Sequence, residues 1–266
     1  MARELTLAGR GAVVTGAASG IGAELAREAA RRGMGVAVCD INAAGLEQQA
    51  AALRGLGATV VAQVVDVRDA SAVARFGEAA LSTFPSIALT FANAGLLRRS
   101  SAIRPDLDDW NLTIDVNLRG VMHVASALAG PMADRGEPAQ FVITGSQASF
   151  VVGPELSSYA ATKHALWAYA DIMRLELAME SSELGVSLIC PGRVRSGLTA
   201  ETRLRVVAVQ GEAAARQYDT QLMDPAKVAA LAFEQAVRRE FWVLPSTAYG
   251  PAFRNRIDGL LKTAAD

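Results

Sequence analysis

Short, uninterrupted apolar runs alternate with longer helical stretches along nearly the whole chain, and that alternation leaves few ways to fold. The runs fall at 11–15 (GAVVT), 35–40 (GVAVCD), 58–67, 86–92, 139–144, 185–190 and 240–244. Between them, 20–32, 43–55, 69–83, 107–129, 157–181 and 225–239 keep Ala- and Leu-rich helical spacing. A strand that is apolar throughout must be covered on both faces, which is the condition of a parallel sheet between two helical layers. Right-handed crossovers then predict an α/β fold with a doubly wound, seven-stranded parallel sheet in a three-layer α/β/α sandwich. No Pro/Ser-rich linker, charge run or internal repeat divides the sequence, so 1–266 reads as a single domain. One stretch breaks the rhythm. Residues 193–223 form a connection far longer than the two to six residues usual between a strand and a helix. At the carboxyl edge of a parallel sheet, such an insert reads as a lid over a substrate.

Charge narrows the partners. Lys plus Arg number 26 against 27 Asp plus Glu, a net charge of -1, so neither a nucleic acid nor an anionic membrane has electrostatic support. Cys39 and Cys190, each inside an apolar run, form a reduced, cytoplasmic pattern rather than a disulfide framework. With His123 and His164 they supply no clustered metal site, so no metal is expected. The N-terminal MARELTLAGR lacks the apolar core of a signal peptide, and no segment reaches the roughly 18 apolar residues of a membrane span. A soluble cytoplasmic protein acting on a small molecule is the expectation.

The first run ends in TGAASGIG (15–22) and opens a helix. Glycines there permit a tight turn and let the backbone approach a pyrophosphate resting on the positive helix N-terminus, the arrangement of Rossmann-type folds. Gly16, Ser19, Gly20, Ile21 and Gly22 are the candidate contacts. The spacing is GxxxGxG, and its weight comes from order: strand, glycines, helix, then an acid. Asp40 closes the second run 18 residues after Gly22, where a carboxylate would hold the ribose hydroxyls of NAD. Asp40 repels the 2′-phosphate of NADP, and neither Ser19 nor Ile41 offers a cation to offset it, so NAD(H) is expected over NADP(H). Asp66 ends the third run and would face the adenine; alone it reads equally well as a strand-end acid.

Tyr159 and Lys163 stand four apart on a helical stretch and so point the same way, and Ser146 lies 13 residues before Tyr159, just past the fifth run. With these residues the chain resembles the single-domain branch of the short-chain dehydrogenases/reductases. The likeness comprises TGAASGIG, Asp40, Asp66-Val67, the NAG of Asn93 to Gly95, Asn117, Ser146, YxxxK and Pro191-Gly192, in order, through about residue 196. It implies Tyr159 as the general acid/base, Ser146 orienting the substrate oxygen, Lys163 holding the cofactor ribose, and Asn117 anchoring a water between Lys163 and solvent. Free tyrosine titrates near 10, so work near neutrality needs cations to draw that value down, and Lys163 and an oxidised nicotinamide are those at hand. Asn93 and Gly95 would support the adenosine half of the cofactor; Val194 and Ser196, after Pro191-Gly192, would meet its nicotinamide end. Gly145, Phe91-Ala92 and Ser196 depart from the usual residues without removing a catalytic group.

The reading is therefore an NAD(H)-dependent oxidoreductase interconverting a secondary alcohol and a ketone. Two alternatives stay open: a non-catalytic dinucleotide-binding protein, and a reductase of C=N or C=C bonds on the same fold. His123 and His164 read as packing residues. The helices at 107–129 and 157–181 are apolar nearly all round, which predicts a dimer or tetramer built on them. Leu198, Leu204, Val206, Val207, Val209, Leu222 and Met223 in the lid, with Val151, Val152 and Leu156, would suit a hydrophobic aryl or alicyclic substrate.

Overall fold

Side chains alternate across the strands into two separate cores, and this divides the molecule into its layers. The computed structural model describes residues 4–180 and 182–264. Strands β1 (Gly11–Thr15), β2 (Gly35–Asp40), β3 (Val60–Val64), β4 (Ile87–Ala92), β5 (Ala139–Thr144), β6 (Leu184–Ile189) and β7 (Trp242–Val243) form one parallel sheet ordered β3-β2-β1-β4-β5-β6-β7. Ala12 and Val14 of β1 face one core and Val13 the other; Val36 and Val38 of β2 oppose Ala37 and Cys39 in the same way.

Helices α1 (Gly20–Arg31), α2 (Ala43–Gly55) and α8 (Pro225–Val237) bring Leu25, Leu46, Leu53 and Phe233 to the first core. Helices α3 (Ala70–Thr83), α5 (Gly120–Asp134) and α6 (Ser157–Met179) bring Phe76, Leu128 and Leu166 to the second. Polar residues start several of these helices by accepting first-turn amides: Asn42 from Gly45, Asp69 from Ser71 and Ala72, and Asp224 from Ala226 ahead of α8. The expected seven-stranded doubly wound sandwich is the observed fold.

Three elements differ from the sequence expectation. The helix expected over 107–129 is α4 (Leu107–Ile114), a π-helical turn at Asp115–Arg119, and then α5, which runs on to Asp134. A π-turn adds one residue without breaking the hydropathy pattern, so periodicity passes over it. The helix carries Pro131 inside it, and Gly130-Pro131 reads locally as a stop. Second, the connection at 193–223 is mostly helical, as α7 (Gly197–Thr220), broken at Gly211. Third, a C-terminal helix, α9 (Gly250–Ala264), follows β7. The expected end of the 157–181 helix at Ser181 lies outside the described residues.

Candidate active site

From β1 the chain winds outward to β2 and β3; from β4 it winds the opposite way to β7. That divergence opens a crevice beyond the carboxyl ends of β1 and β4, where open α/β sheets bind ligands. A cavity of about 770 Å3 lies there, lined by Gly16, Ser19, Gly20, Ile21, Gly22, Asp40, Asn93, Gly95, Ser146, Tyr159, Lys163, Pro191, Gly192, Val194 and Ser196. The cavity thus gathers most of the residues singled out in the sequence.

At the β1–α1 turn, a Cβ on Gly22 would stand 2.2 Å from the Gly16 carbonyl oxygen and 2.6 Å from Asn93 Nδ2, so no side chain fits. Ser19 precedes α1 in extended conformation and its hydroxyl does not cap the helix, which leaves the first-turn amides open to an anion. Asp40 is held at the cavity by two backbone amides: Oδ2 accepts from Ala18 at 2.9 Å and Oδ1 from Asn42 at 2.9 Å. Each oxygen keeps a second lone pair for a ligand. A glycine turn with uncapped amides and a fixed carboxylate beyond it fits the phosphates and ribose of a dinucleotide.

Asp66 and Val67 stand elsewhere. The Asp66 carboxylate is bound by the guanidinium of Arg68, which holds it below the usual carboxylate range, and it does not line the cavity. Val67 is buried, and its carbonyl meets His123 Nδ1 at 2.8 Å. Asn93 lines the cavity yet also ties three strands together. Its Nδ2 donates to the Thr15 carbonyl at 3.0 Å, its amide to Thr15 Oγ1 at 3.0 Å, and its Oδ1 accepts from Thr144 Oγ1 at 3.2 Å.

The catalytic candidates meet where β5 ends. Ser146 Oγ accepts from the Ala148 amide at 3.1 Å and hydrogen-bonds the Tyr159 hydroxyl. Tyr159 and Lys163, one turn apart on α6, are both buried, and Lys163 Nζ donates to the Thr144 carbonyl at 2.8 Å. Burial lowers Lys163 from its ordinary value to about 8. The tyrosine departs from expectation. Burial pushes its phenol above the ordinary value, and the Ser146 hydrogen bond offsets this only in part. The lysine ammonium sits 5.6 Å from the Tyr159 ring centroid, bonded to Thr144. The polypeptide by itself keeps the phenol protonated.

Asn117 belongs to the π-turn and is fully buried. Its Oδ1 accepts from the Leu96 amide at 2.8 Å and its Nδ2 donates to the Leu96 carbonyl at 2.9 Å, so the side chain fixes the loop after β4 and does not line the cavity. Other residues of the site escaped the sequence reading. The carbonyl of Thr144 and the hydroxyl of Thr15 are visible only as strand ends. The hydroxyl of Ser149, buried beside Ser146, accepts from the Ser146 amide at 3.3 Å.

The wall that α7 brings to the cavity is more polar than expected. Leu198, Val206 and Leu156 line the cavity, but so do Thr202, Gln210, Gln217, Tyr218 and Gln221. Leu204 and Val209 face solvent, and Val151 and Val152 lie outside the cavity. Trp242 of β7 serves packing: it joins Phe150, Trp167, Tyr249 and Phe253 in an aromatic cluster with Phe150 and Tyr249 stacked at 5.1 Å. His164 is a structural residue too, with Nδ1 2.9 Å from the Ala160 carbonyl and Nε2 2.9 Å from the Arg256 guanidinium. Among the described residues no group of His, Cys, Asp and Glu is placed to hold a metal, and no helix is long and apolar enough to cross a membrane.

A doubly wound sheet with a glycine turn at its switch point and a buried Ser–Tyr–Lys constellation defines a Rossmann-fold oxidoreductase. Residues 10–206 match the family model described as short chain dehydrogenase, and the chain belongs to that family. It is 38% identical over 190 residues to 1-deoxy-11-beta-hydroxypentalenate dehydrogenase of Streptomyces avermitilis, spanning 71% of this chain and 70% of that protein. It is 34% identical over 190 residues to the oxidoreductase UcpA of Escherichia coli, spanning 71% of each. Among solved structures, a short chain dehydrogenase/reductase from Burkholderia phymatum in complex with NAD superposes with a TM-score of 0.88 at 30% identity, covering 97% of this chain and 96% of that one.

Proposed function

We propose that the chain interconverts a secondary alcohol and a ketone with NAD(H) as its cofactor. The observation that carries this is the meeting of Ser146, Tyr159 and Lys163 in one cavity with the open α1 N-terminus and Asp40. The Burkholderia relative holds NAD, and the Streptomyces relative is named for a hydroxy-substituted substrate. The chemistry such a cofactor supplies is hydride transfer to or from the alcohol carbon. In the reductive direction Tyr159 Oη gives its proton to the carbonyl oxygen, and burial keeps that proton available. Ser146 Oγ hydrogen-bonds the same oxygen and fixes its distance from Tyr159. Lys163, tethered by Thr144, holds the cofactor ribose and relays protons toward solvent, and Asn117 shapes the loop beside it. Helix α7 serves as the substrate lid. The two cysteines are free and buried, which suits a reducing cytoplasm.

The test is nicotinamide absorbance over a panel of aryl and alicyclic ketones and alcohols, with Tyr159→Phe alongside. Tyr159→Phe is expected to lower kcat by about 10²–10⁴-fold while leaving NADH binding, measured by fluorescence, within a few-fold of wild type. A mutant within threefold of wild-type kcat removes Tyr159 from the mechanism.

A further inference from the structure

We propose that the substrate carries a carboxylate and that Arg193, assisted by Arg99, is the specificity-determining counter-charge. The inference rests on the oxidoreductase reading above and names the substrate class for the same cleft. In the sheet β4 and β6 flank β5, so the loops that follow them flank Ser146. Arg99 lies on the first loop and Arg193 on the second, and both line the cavity. Among the described side chains that line it, Asp40 is the only carboxylate. Asp40 ends β2, four strand places from β6, which at about 4.8 Å per strand is roughly 19 Å away. It is too far from Arg193 to neutralise that guanidinium.

Arg193 has neutral partners: its guanidinium donates to Gln221 Oε1 at 2.9 Å and lies 5.8 Å from the Tyr218 ring centroid. Arg99 bonds Glu155 at 3.2 Å, but that carboxylate is shared with Arg205 of α7 at 3.1 Å. One carboxylate thus serves two cations, and among the described side chains the balance at the mouth of the cleft is positive. The same cavity is lined by Leu96, Leu97, Leu156, Leu198 and Val206, so the site pairs an apolar wall with the Arg193 guanidinium, whose described partners are neutral. A hydrophobic anion fits both features, and guanidinium geometry matches a carboxylate better than any neutral group.

The probes are alicyclic and aryl ketones, each prepared as the free carboxylate and as its methyl ester, assayed with NADH. The acid is expected to exceed its ester in kcat/KM by tenfold or more at low salt, a ratio that shrinks in 0.5 M NaCl through screening. Arg193→Gln is expected to bring the ratio close to one, and Arg193→Lys to recover part of it; Arg193 is exposed, so both proteins fold. A wild-type ratio at or below one overturns the inference while leaving the oxidoreductase reading intact. So does an Arg193→Gln enzyme that keeps the ratio but raises the KM for NADH, which would assign the arginine to the cofactor phosphates. Failure to turn over either form of any ketone, with NADH or NADPH, overturns the reading beneath it and this inference together.

Discussion

At the scale of single residues, the cofactor preference turns on one carboxylate. Two backbone amides fix Asp40 at the edge of the cavity, so it cannot swing away at low cost from a ligand placed beside it. A 2′-phosphate there meets a like charge at ~4 Å, on the order of 4 kcal/mol at an effective dielectric of 20. Screening reduces this to about 2–3 kcal/mol, or roughly 30- to 150-fold in preference. Arg68, which follows β3 beside β2, is engaged with Asp66, and Ile41 is an exposed aliphatic residue. NADH is therefore expected to exceed NADPH at least tenfold in kcat/KM, and Asp40→Ala with Ile41→Arg to flatten or reverse the ratio; equal wild-type rates would show that Asp40 does not meet the ribose. Lys163 sets a second expectation, in stability. Its native value near 8 lies below its unfolded value of 10.5, so between these the unfolded chain binds more protons and stability rises with pH. Below pH 8 the cost of the buried ammonium is present in full. Tyr159 acts oppositely: its raised value makes stability fall above pH 10. Chemical denaturation of the free enzyme should show wild type gaining roughly 2–3 kcal/mol relative to Lys163→Met between pH 8 and 10. Parallel curves for the two proteins would mean that Lys163 is hydrated.

At the scale of elements, α7 is the part most open to perturbation. Gly211 interrupts it with φ 83° and ψ 172°, a region closed to residues with a side chain, although a Cβ there would meet nothing within 4 Å. Substitution therefore acts through the backbone alone. Gly211→Ala either keeps the bend at a cost of about 1–3 kcal/mol or straightens the helix and draws Ala214, Gln217 and Tyr218 away from the cavity. The expected result is a several-fold rise in substrate KM with kcat much less affected; unchanged steady-state kinetics would show that the second half of α7 does not serve the site. The same helix shows what sequence reading reaches. Strand runs such as GAVVT and the Tyr159–Lys163 spacing were legible because burial on both faces and a one-turn repeat leave their mark on neighbouring residues. Helix α7 was not, since its exposed residues follow no stripe: Leu204 and Val209 face water while Gln210 and Gln217 line the cavity. The π-turn at Asn117 and the Arg68 clasp on Asp66 were hidden for another reason. Each depends on a local hydrogen bond that hydropathy does not register.

At the scale of the whole molecule, the outward side of α6 remains to be accounted for. Tyr159 and Lys163 turn inward, and Leu166, Ala170 and Met173 join the core, so one face of the helix is covered by its own chain. The opposite face carries Ile172, Leu175 and Met179 at 53%, 57% and 85% exposure, spaced as one helical stripe. Met122 of α5 and Leu107 of α4, a helix that packs against α6, are also exposed. Sheet packing cannot reach this side, and an exposed apolar stripe of this kind marks an interface. We propose that a second copy covers it, forming a dimer, or half of a tetramer, through α4, α5 and α6. A stable interface would bury about 1,200–2,000 Å² in total, and the catalytic helix would then be braced on both sides. Sedimentation at micromolar concentration is expected to give a dimer or tetramer. The double variant Ile172→Glu, Leu175→Glu places like charges where the stripe meets its symmetry mate and is expected to sediment as a monomer with its circular dichroism intact. A wild-type monomer at that concentration would refute the proposed assembly, and a variant that still dimerises would move the interface to another face.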